Sequence, residues 1–143
     1  MSLDGVYEQD NVFAKILRGE LPCARVFEDE HVFAFMDAFP QARGHVLVIP
    51  KHSHARNLLE EEPEKLAAVI LGVQRVARAV RAALEPEGIF VFQTNGAPAG
   101  QSVFHLHFHI LPRAGGPPQF YAPPAADMDE LKALALQIAA KIS

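Results

Sequence analysis

The chain has 143 residues, half of them hydrophobic, and a formal net charge of −4. This length predicts a single domain over residues 1–143, and no apolar run approaches the roughly 20 residues that a membrane-spanning helix needs. The acidic balance and the lack of a dense Lys/Arg cluster disfavour nucleic acid as a partner. Cys23, the one cysteine, excludes an internal disulfide, and the N-terminus lacks the basic start and apolar stretch of a secretory signal. We therefore expect a cytoplasmic protein without a membrane partner.

The hydrophobic pattern changes between helical and strand periods along the chain, which predicts an α+β fold. A core over about residues 11–113 precedes a Pro/Gly-rich loop and a terminal helix, 114–143. The predicted elements, in chain order, are a short helix capped at Asp10 or Asn11 (11–20), a hairpin of two strands (24–30 and 32–39), a third strand (44–50), a long amphipathic helix (63–84), two strands (88–95 and 103–113) and a helix capped at Asp127.

Three histidines alternate with large apolar residues in the stretch VFHLHFHILPR, residues 103–113. A period of two is typical of a strand, whose successive side chains point to opposite faces. His105, His107 and His109 would then share one face, about 6.5 Å apart at a rise of about 3.3 Å per residue. A helix would scatter the same three rings around its axis.

Three interpretations of this row compete. The histidines could coat the wet face of a strand, but this does not explain why every polar position carries the same residue. They could bind a metal ion, yet no acidic residue follows Asp37 in a predicted strand and the only thiol is Cys23. They could act by themselves, with a neutral imidazole attacking phosphorus while its neighbours orient it and protonate a leaving group. We favour this third interpretation, with His107 as the nucleophile and no metal.

The preceding loop, NGAPAGQSV (residues 95–103), is compatible with a bound anion. Gly96 and Gly100 allow backbone amides to approach a phosphate closely, and Asn95, Gln101 and Ser102 add neutral donors. A plain hairpin connection would contain similar residues, so the loop alone does not decide between the two.

The segment HLHFHIL, residues 105–111, matches the His-φ-His-φ-His-φ-φ signature of the histidine-triad superfamily, where φ is apolar. Segments 11–37, 40–52 and 93–113 resemble the Hint-like branch in order and spacing. The resemblance implies a dimer whose two five-stranded sheets form one ten-stranded sheet. It also implies hydrolysis at the α-phosphate of a purine nucleotide through a nucleotidyl-histidine intermediate, without a cofactor.

The resemblance also implies roles for individual residues. His107 corresponds to the nucleophile, His105 and His45 to the pair that orients it, and His109 to the histidine that contacts the phosphate and the leaving group. Asp37 corresponds to the acid that binds the ribose hydroxyls, although a turn-forming aspartate would look the same in the sequence. The other matching positions are the phosphate-side loop (Asn95, Gly100, Gln101, Ser102) and the walls of the base pocket (Val12, Phe13, Ile16, Phe35, Met36).

Departures from the family pattern restrict the activity. Asn11 and Ala14 stand where some bacterial members carry a zinc-binding Cys-x-x-Cys, which argues against that site. The third histidine favours a hydrolase over a nucleotidyl transferase, which has glutamine there. A phosphoramidate such as an adenosine monophosphate amide is the expected substrate. The Pro-rich tail resembles the dinucleoside-polyphosphate branch, so that activity stays open, as does a nucleotide-binding scaffold with little turnover.

Overall fold

The structure, a computed structural model, describes residues 3–143; Met1 and Ser2, which the predicted domain includes, lie outside the described residues. Side-chain caps begin two helices where the sequence predicts them: Asn11 accepts the amide of Ala14, and the Asp127 carboxylate accepts that of Glu130. The elements are helix α1 (Val12–Leu17), strands β1 (Arg25–Glu28), β2 (Val32–Met36) and β3 (Val46–Pro50), helix α2 (Pro63–Leu84), strands β4 (Gly88–Phe92) and β5 (Phe108–Arg113), and helix α3 (Met128–Ala139).

The five strands form one sheet in the order β1-β2-β3-β5-β4, and every neighbouring pair is antiparallel. The predicted α+β fold with a five-stranded sheet, one long helix and two shorter ones is confirmed. The register places His109 of β5 between Leu47 of β3 and Phe92 of β4. One histidine of the motif therefore lies in an interior strand of the sheet, whereas β4 forms an edge.

Both faces of the central strands are covered. Because alternate side chains leave a strand on opposite faces, β2 and β3 contribute to two separate apolar clusters and are buried along their whole length. The larger cluster packs one face of the sheet against α2 and α3 and includes Val32, Ala34, Val46, Val48, Val69, Val73, Val76, Leu131 and Ile138. The smaller cluster lies on the other face, beside α1, and consists of Phe13, Phe33, Phe35, Leu47 and Ile49 with partly buried neighbours.

The histidine strand is shorter than the alternation predicts. Strand β5 begins at Phe108, so His105 and His107 precede it and only His109 lies within it. The prediction that one strand carries all three was wrong. The cause is a change of hydrogen-bond partners, since the amide of Leu106 donates to the carbonyl of Ala55 (3.0 Å) instead of continuing the ladder with β3.

The Pro/Gly-rich segment after β5 contains no helix or strand up to α3 and is tied to the loop between β2 and β3. The side-chain amide of Gln41 donates to the carbonyl of Tyr121 (2.7 Å) and accepts from its amide (3.3 Å). The amide of Ala126 donates to the carbonyl of Ala38 (2.9 Å). Among the described helices, none has the length and apolar character needed to cross a bilayer.

Candidate active site

A cavity of about 970 Å³ opens on the face of the sheet that carries α1. Its walls come from α1, the ends of β2 and β3, strands β4 and β5, the loop around residue 100 and the segment near residue 120. Eleven of the predicted site residues line it: Val12, Phe13, Ile16, Phe35, Met36, Asp37, His45, Gly100, Ser102, His107 and His109.

His105 does not line this cavity. It is fully buried, and it contributes instead to the wall of a second, polar cavity of about 610 Å³. Its Nε2 lies 3.0 Å from the carbonyl of Pro50, so this nitrogen carries a proton and donates it. The neutral ring therefore accepts at Nδ1, where the hydroxyl of Tyr7 lies 2.6 Å away.

His107 is held by a backbone carbonyl of its own segment. Its Nδ1 lies 2.7 Å from the carbonyl oxygen of His105, so Nδ1 carries the proton. In the neutral ring, Nε2 then keeps its lone pair. This is the protonation state that a nucleophilic imidazole needs.

A second chain of hydrogen bonds sets the state of His109. The amide of Gln41 donates to Nδ1 of His45 (3.0 Å), so the neutral ring of His45 carries its proton on Nε2. This Nε2–H donates to Nδ1 of His109 (2.9 Å), which leaves the proton of neutral His109 on Nε2. The two cavity histidines, whose ring centroids are 4.9 Å apart, thus have opposite characters: His107 has a free lone pair and His109 has a donor.

Burial keeps all of these imidazoles neutral near pH 7. Loss of solvation lowers the pKa of His45 and of His105 to about 4. It lowers the pKa of His109 further, to about 2, since His107 and His45 repel a charge on that ring. The pKa of His107 is lowered as well, by burial.

Asp37 follows β2 and lines the cavity beside His45. One carboxylate oxygen accepts the amide of Phe39 (2.8 Å), and the other lies 3.5 Å from Nε2 of His45. Burial raises the pKa of this carboxyl to about 6. The aspartate therefore has both a turn-forming contact, through Phe39, and one oxygen directed toward the cavity histidines.

The predicted base-pocket residues meet at one end of the cavity. Phe13 packs edge-on against Phe35, with ring centroids 5.4 Å apart, and against His107 at 4.9 Å. Val12 remains half exposed, while Phe35 and Met36 are almost fully buried. This arrangement gives the histidines an apolar wall, and the role of these residues as a base pocket stays a prediction.

Two residues of the predicted phosphate loop do not lie on the cavity wall. Gln101 is buried and uses its side chain within the loop, accepting from the amide of Gly96 (2.8 Å) and donating to the carbonyl of Arg56 (2.7 Å). The side-chain oxygen of Asn95 accepts from the amide of Leu58 (3.0 Å). Their geometry indicates that these two residues hold the loop in place, whereas Gly100 and Ser102 face the cavity.

Other residues of the site were not predicted from the sequence. Phe92 stacks on His109, with centroids 4.1 Å apart and planes within 3° of parallel, and Phe120 packs edge-on against Phe92 at 5.1 Å. Tyr121 completes this wall. Phe92 stands opposite His109 in the β-ladder, so a correct strand register could have found it; no local pattern points to the other two.

Asp37, His45 and His109 place three potential metal-ligand atoms within 4.8 Å of one another. The donor set fits a cation poorly, because a metal on Nε2 of His45 would displace its proton to Nδ1. Nδ1 of His45 already accepts a hydrogen bond from the amide of Gln41, so a proton on Nδ1 would face this donor. The absence of a metal thus stays a prediction, and the hydrogen bonds support it.

Comparisons with known proteins identify chains related to this one. A family model described as the HIT domain matches residues 18–116. The chain is 47% identical to the protein hit of Bacillus subtilis over 104 residues, which are 73% of this chain and 71% of that protein. It is 37% identical to the adenosine 5'-monophosphoramidase hnt1 of Schizosaccharomyces pombe over 138 residues, 92% of this chain and 97% of that one.

Similarity in structure extends over almost the whole chain. The crystal structure of a Hit-like protein involved in cell-cycle regulation from Bartonella henselae has a TM-score of 0.86 and 46% sequence identity. That match covers 95% of this chain and 99% of the Bartonella chain. With its family model, its relatives and its fold in agreement, this chain belongs to the histidine-triad (HIT) superfamily, as the motif at residues 105–111 predicts.

Proposed function

We propose that the protein is a nucleotide hydrolase that cleaves a phosphoramidate, such as an adenosine monophosphate amide, at the α-phosphate. The observation that carries this proposal is the pairing of a lone pair on His107 with a donor on His109 at the wall of one cavity. A relative of similar length is named an adenosine 5'-monophosphoramidase. The family supports nucleotide hydrolysis in general, and the choice of the amide is our own inference.

The reaction proceeds in two steps. Nε2 of His107 attacks phosphorus, and a phosphorus–nitrogen bond to the enzyme forms as the bond to the amine breaks. The amine takes the Nε2 proton of His109, the outer ring of the His45–His109 pair, and the negative charge left on that ring is balanced by the positive charge on the neighbouring His107 ring once it is bonded to phosphorus. Water then attacks phosphorus, returns a proton to the pair and releases the nucleoside monophosphate.

Asp37 and the apolar end of the cavity supply binding. The free carboxylate oxygen of Asp37 accepts the ribose hydroxyls, and the aromatic wall at Phe13 and Phe35 holds a planar purine. Gly100 and Ser102 lie beside the phosphate. These assignments follow the family pattern, and the position of each residue on the cavity wall supports them.

A substitution of the nucleophile tests the enzyme hypothesis. His107→Ala should reduce kcat by several orders of magnitude while nucleotide binding is largely kept, because the lost group forms the bond to phosphorus. His52→Ala, at an exposed histidine, serves as the matched control and should behave as wild type. Mass spectrometry of quenched turnover should find the nucleotide adduct on His107 in the wild type.

Normal turnover by His107→Ala, or an adduct on another residue, would refute this mechanism. Nucleotide binding by a wild-type protein that turns over no substrate would instead favour the scaffold alternative. These outcomes separate an enzyme from a binding protein.

Hydrolysis of dinucleoside polyphosphates is the second candidate. It is favoured by the size of the cavity and by the aromatic pair Phe120 and Tyr121, which provides further stacking surface on its wall. A panel that compares an adenosine phosphoramidate with diadenosine polyphosphates by kcat/KM decides between the two. A ratio above one for the dinucleotides would overturn our choice of leaving group.

We also propose a homodimer in which two β4 strands pair and extend the sheet to ten strands. Strand β4 is a sheet edge of purely apolar sequence, GIFVF, and Val91 is 44% exposed. An uncovered apolar edge of this kind favours pairing with a second copy. Val91→Lys should therefore yield a monomer in light scattering after size exclusion, while the exposed substitution His31→Lys should not; a monomeric wild type would refute the proposal.

A further inference from the structure

Tyr7 lies before α1, 98 residues away from the motif that it contacts. Its hydroxyl is 2.6 Å from Nδ1 of His105, and its ring stacks on His54 with centroids 4.7 Å apart and planes 10° from parallel. The ring also packs edge-on against His105, with centroids 5.7 Å apart, so the hydroxyl contact is one of two contacts with that histidine. The ring packs against an exposed histidine, and the hydroxyl reaches a fully buried one.

The direction of the hydroxyl contact follows from the other side of the His105 ring. Because the carbonyl of Pro50 can only accept, Nε2 of His105 donates to it and Nδ1 keeps a lone pair. The Tyr7 hydroxyl thus donates to Nδ1. Among residues 3–143, no other group is hydrogen-bonded to this nitrogen, so the hydroxyl alone satisfies a buried acceptor.

The same residue connects this contact to the cavity. The backbone carbonyl of His105 accepts the Nδ1 proton of His107 at 2.7 Å. A His105 ring anchored at both nitrogens restrains the backbone around it, which lies outside the β-ladder and is otherwise held by the hydrogen bond from the amide of Leu106 to the carbonyl of Ala55. The position of that carbonyl decides which nitrogen of His107 is protonated and where its lone pair points.

We propose that Tyr7 is a positioning residue for the nucleophile, acting through His105. Its hydroxyl fixes the ring of His105, and the carbonyl of His105 keeps Nε2 of His107 unprotonated and aimed into the cavity. The inference rests on the proposed function, because it assigns Tyr7 a part in that reaction. It makes no use of direct contact between Tyr7 and substrate, since Tyr7 does not line the large cavity.

The experiment compares Tyr7→Phe, which removes only the hydroxyl, with Tyr7→Leu, which also removes the stacked ring. For Tyr7→Phe we expect kcat for the phosphoramidate to fall about tenfold. This is the effect expected if the activation free energy rises by about the net contribution of one ordinary hydrogen bond. KM should stay within about twofold of the wild type, because binding groups are untouched. Tyr7→Leu should show the same fall in kcat together with a lower thermal midpoint.

Nitrogen-15 spectra of the imidazoles in the resting protein provide a readout that does not depend on turnover. In the wild type, the Nδ1 resonance of His105 should have the position of an unprotonated nitrogen that accepts a hydrogen bond. In Tyr7→Phe the Nδ1 resonance of His105 should move toward the position of an unprotonated nitrogen that accepts no hydrogen bond. The Nε2 resonance of His107 should change with it, as its carbonyl partner gains freedom.

Two results would overturn the inference: a kcat within twofold of wild type in Tyr7→Phe, or an unchanged His105 Nδ1 resonance in that variant. A much larger kcat loss in Tyr7→Leu than in Tyr7→Phe would also contradict it, because the ring rather than the hydroxyl would matter. If the wild type hydrolyses none of the substrates, the proposed function fails, and the His105 resonance still decides whether the hydroxyl sets this histidine's state.

Discussion

Acid should destabilise this protein because the fold buries neutral histidines. A histidine whose pKa is lower in the folded than in the unfolded state binds its proton more readily when unfolded. Its contribution to stability is therefore complete above the unfolded value of 6.5 and is lost as the pH falls toward the folded value. For His45 and His105, with folded pKa values of about 4, this window extends from about pH 6.5 to pH 4.

The size of the loss follows from the shifts. Between pH 7 and pH 5, each of these two histidines lowers the free energy of unfolding by about 2 kcal/mol, at about 1.4 kcal/mol per pH unit below 6.5. Asp37 acts in the opposite direction, since its raised pKa of about 6 makes protonation favour the folded state. Its protonation raises the free energy of unfolding by about 1 kcal/mol by pH 5. The net expectation is a loss of about 3 kcal/mol or more, because the pKa values of His107 and His109 are also lowered.

Urea unfolding at pH 7, 6 and 5, analysed at a common m-value, measures this loss. The variant His105→Gln isolates one contribution, because glutamine can donate to Pro50 and accept from Tyr7 but does not titrate. Its stability should fall about 2 kcal/mol less than that of the wild type over the same pH range. The matched control His52→Gln, at an exposed ring, should lose as much stability as the wild type over this pH range. A wild-type free energy of unfolding that is equal at pH 7 and pH 5 would refute the reasoning.

Two further predictions concern the loop and the sugar. Gln101→Leu should lower the free energy of unfolding by about 2–5 kcal/mol, because it leaves the amide of Gly96 and the carbonyl of Arg56 without their partner; a urea titration showing a loss below about 1 kcal/mol would contradict a structural role for this side chain. Asp37→Asn should lower kcat/KM about tenfold for a ribonucleotide substrate and much less for its 2',3'-dideoxy analogue, as measured by initial rates; equal losses on both would remove Asp37 from ribose recognition.

The sequence by itself determined the class of fold and the family. Local signals were sufficient for the helices, since the caps at Asn11 and Asp127 and the 3.6-residue period over Pro63–Leu84 depend on nearby residues only. The apolar runs of β2 and β3 likewise predict strands that are buried on both faces. The one domain over residues 1–143 stays a prediction.

The alternation of the histidine motif predicted its spacing but not its backbone. His107 and His109 do lie side by side on one cavity wall, yet the strand begins only at Phe108. A period of two indicates which side chains share a face, and an extended segment can keep that arrangement without hydrogen bonds to a neighbouring strand. What ends the ladder is the contact of Leu106 with Ala55, which is remote in sequence.

Only the tertiary structure decided which nitrogen of each histidine carries the proton. That choice depends on the carbonyl of Pro50, the amide of Gln41 and the hydroxyl of Tyr7, which come from three distant segments. A sequence pattern specifies residue types and local direction, whereas a tautomer is set by whichever donor or acceptor the fold brings to each ring nitrogen. The chemistry we propose for His107 and His109 follows from those long-range contacts.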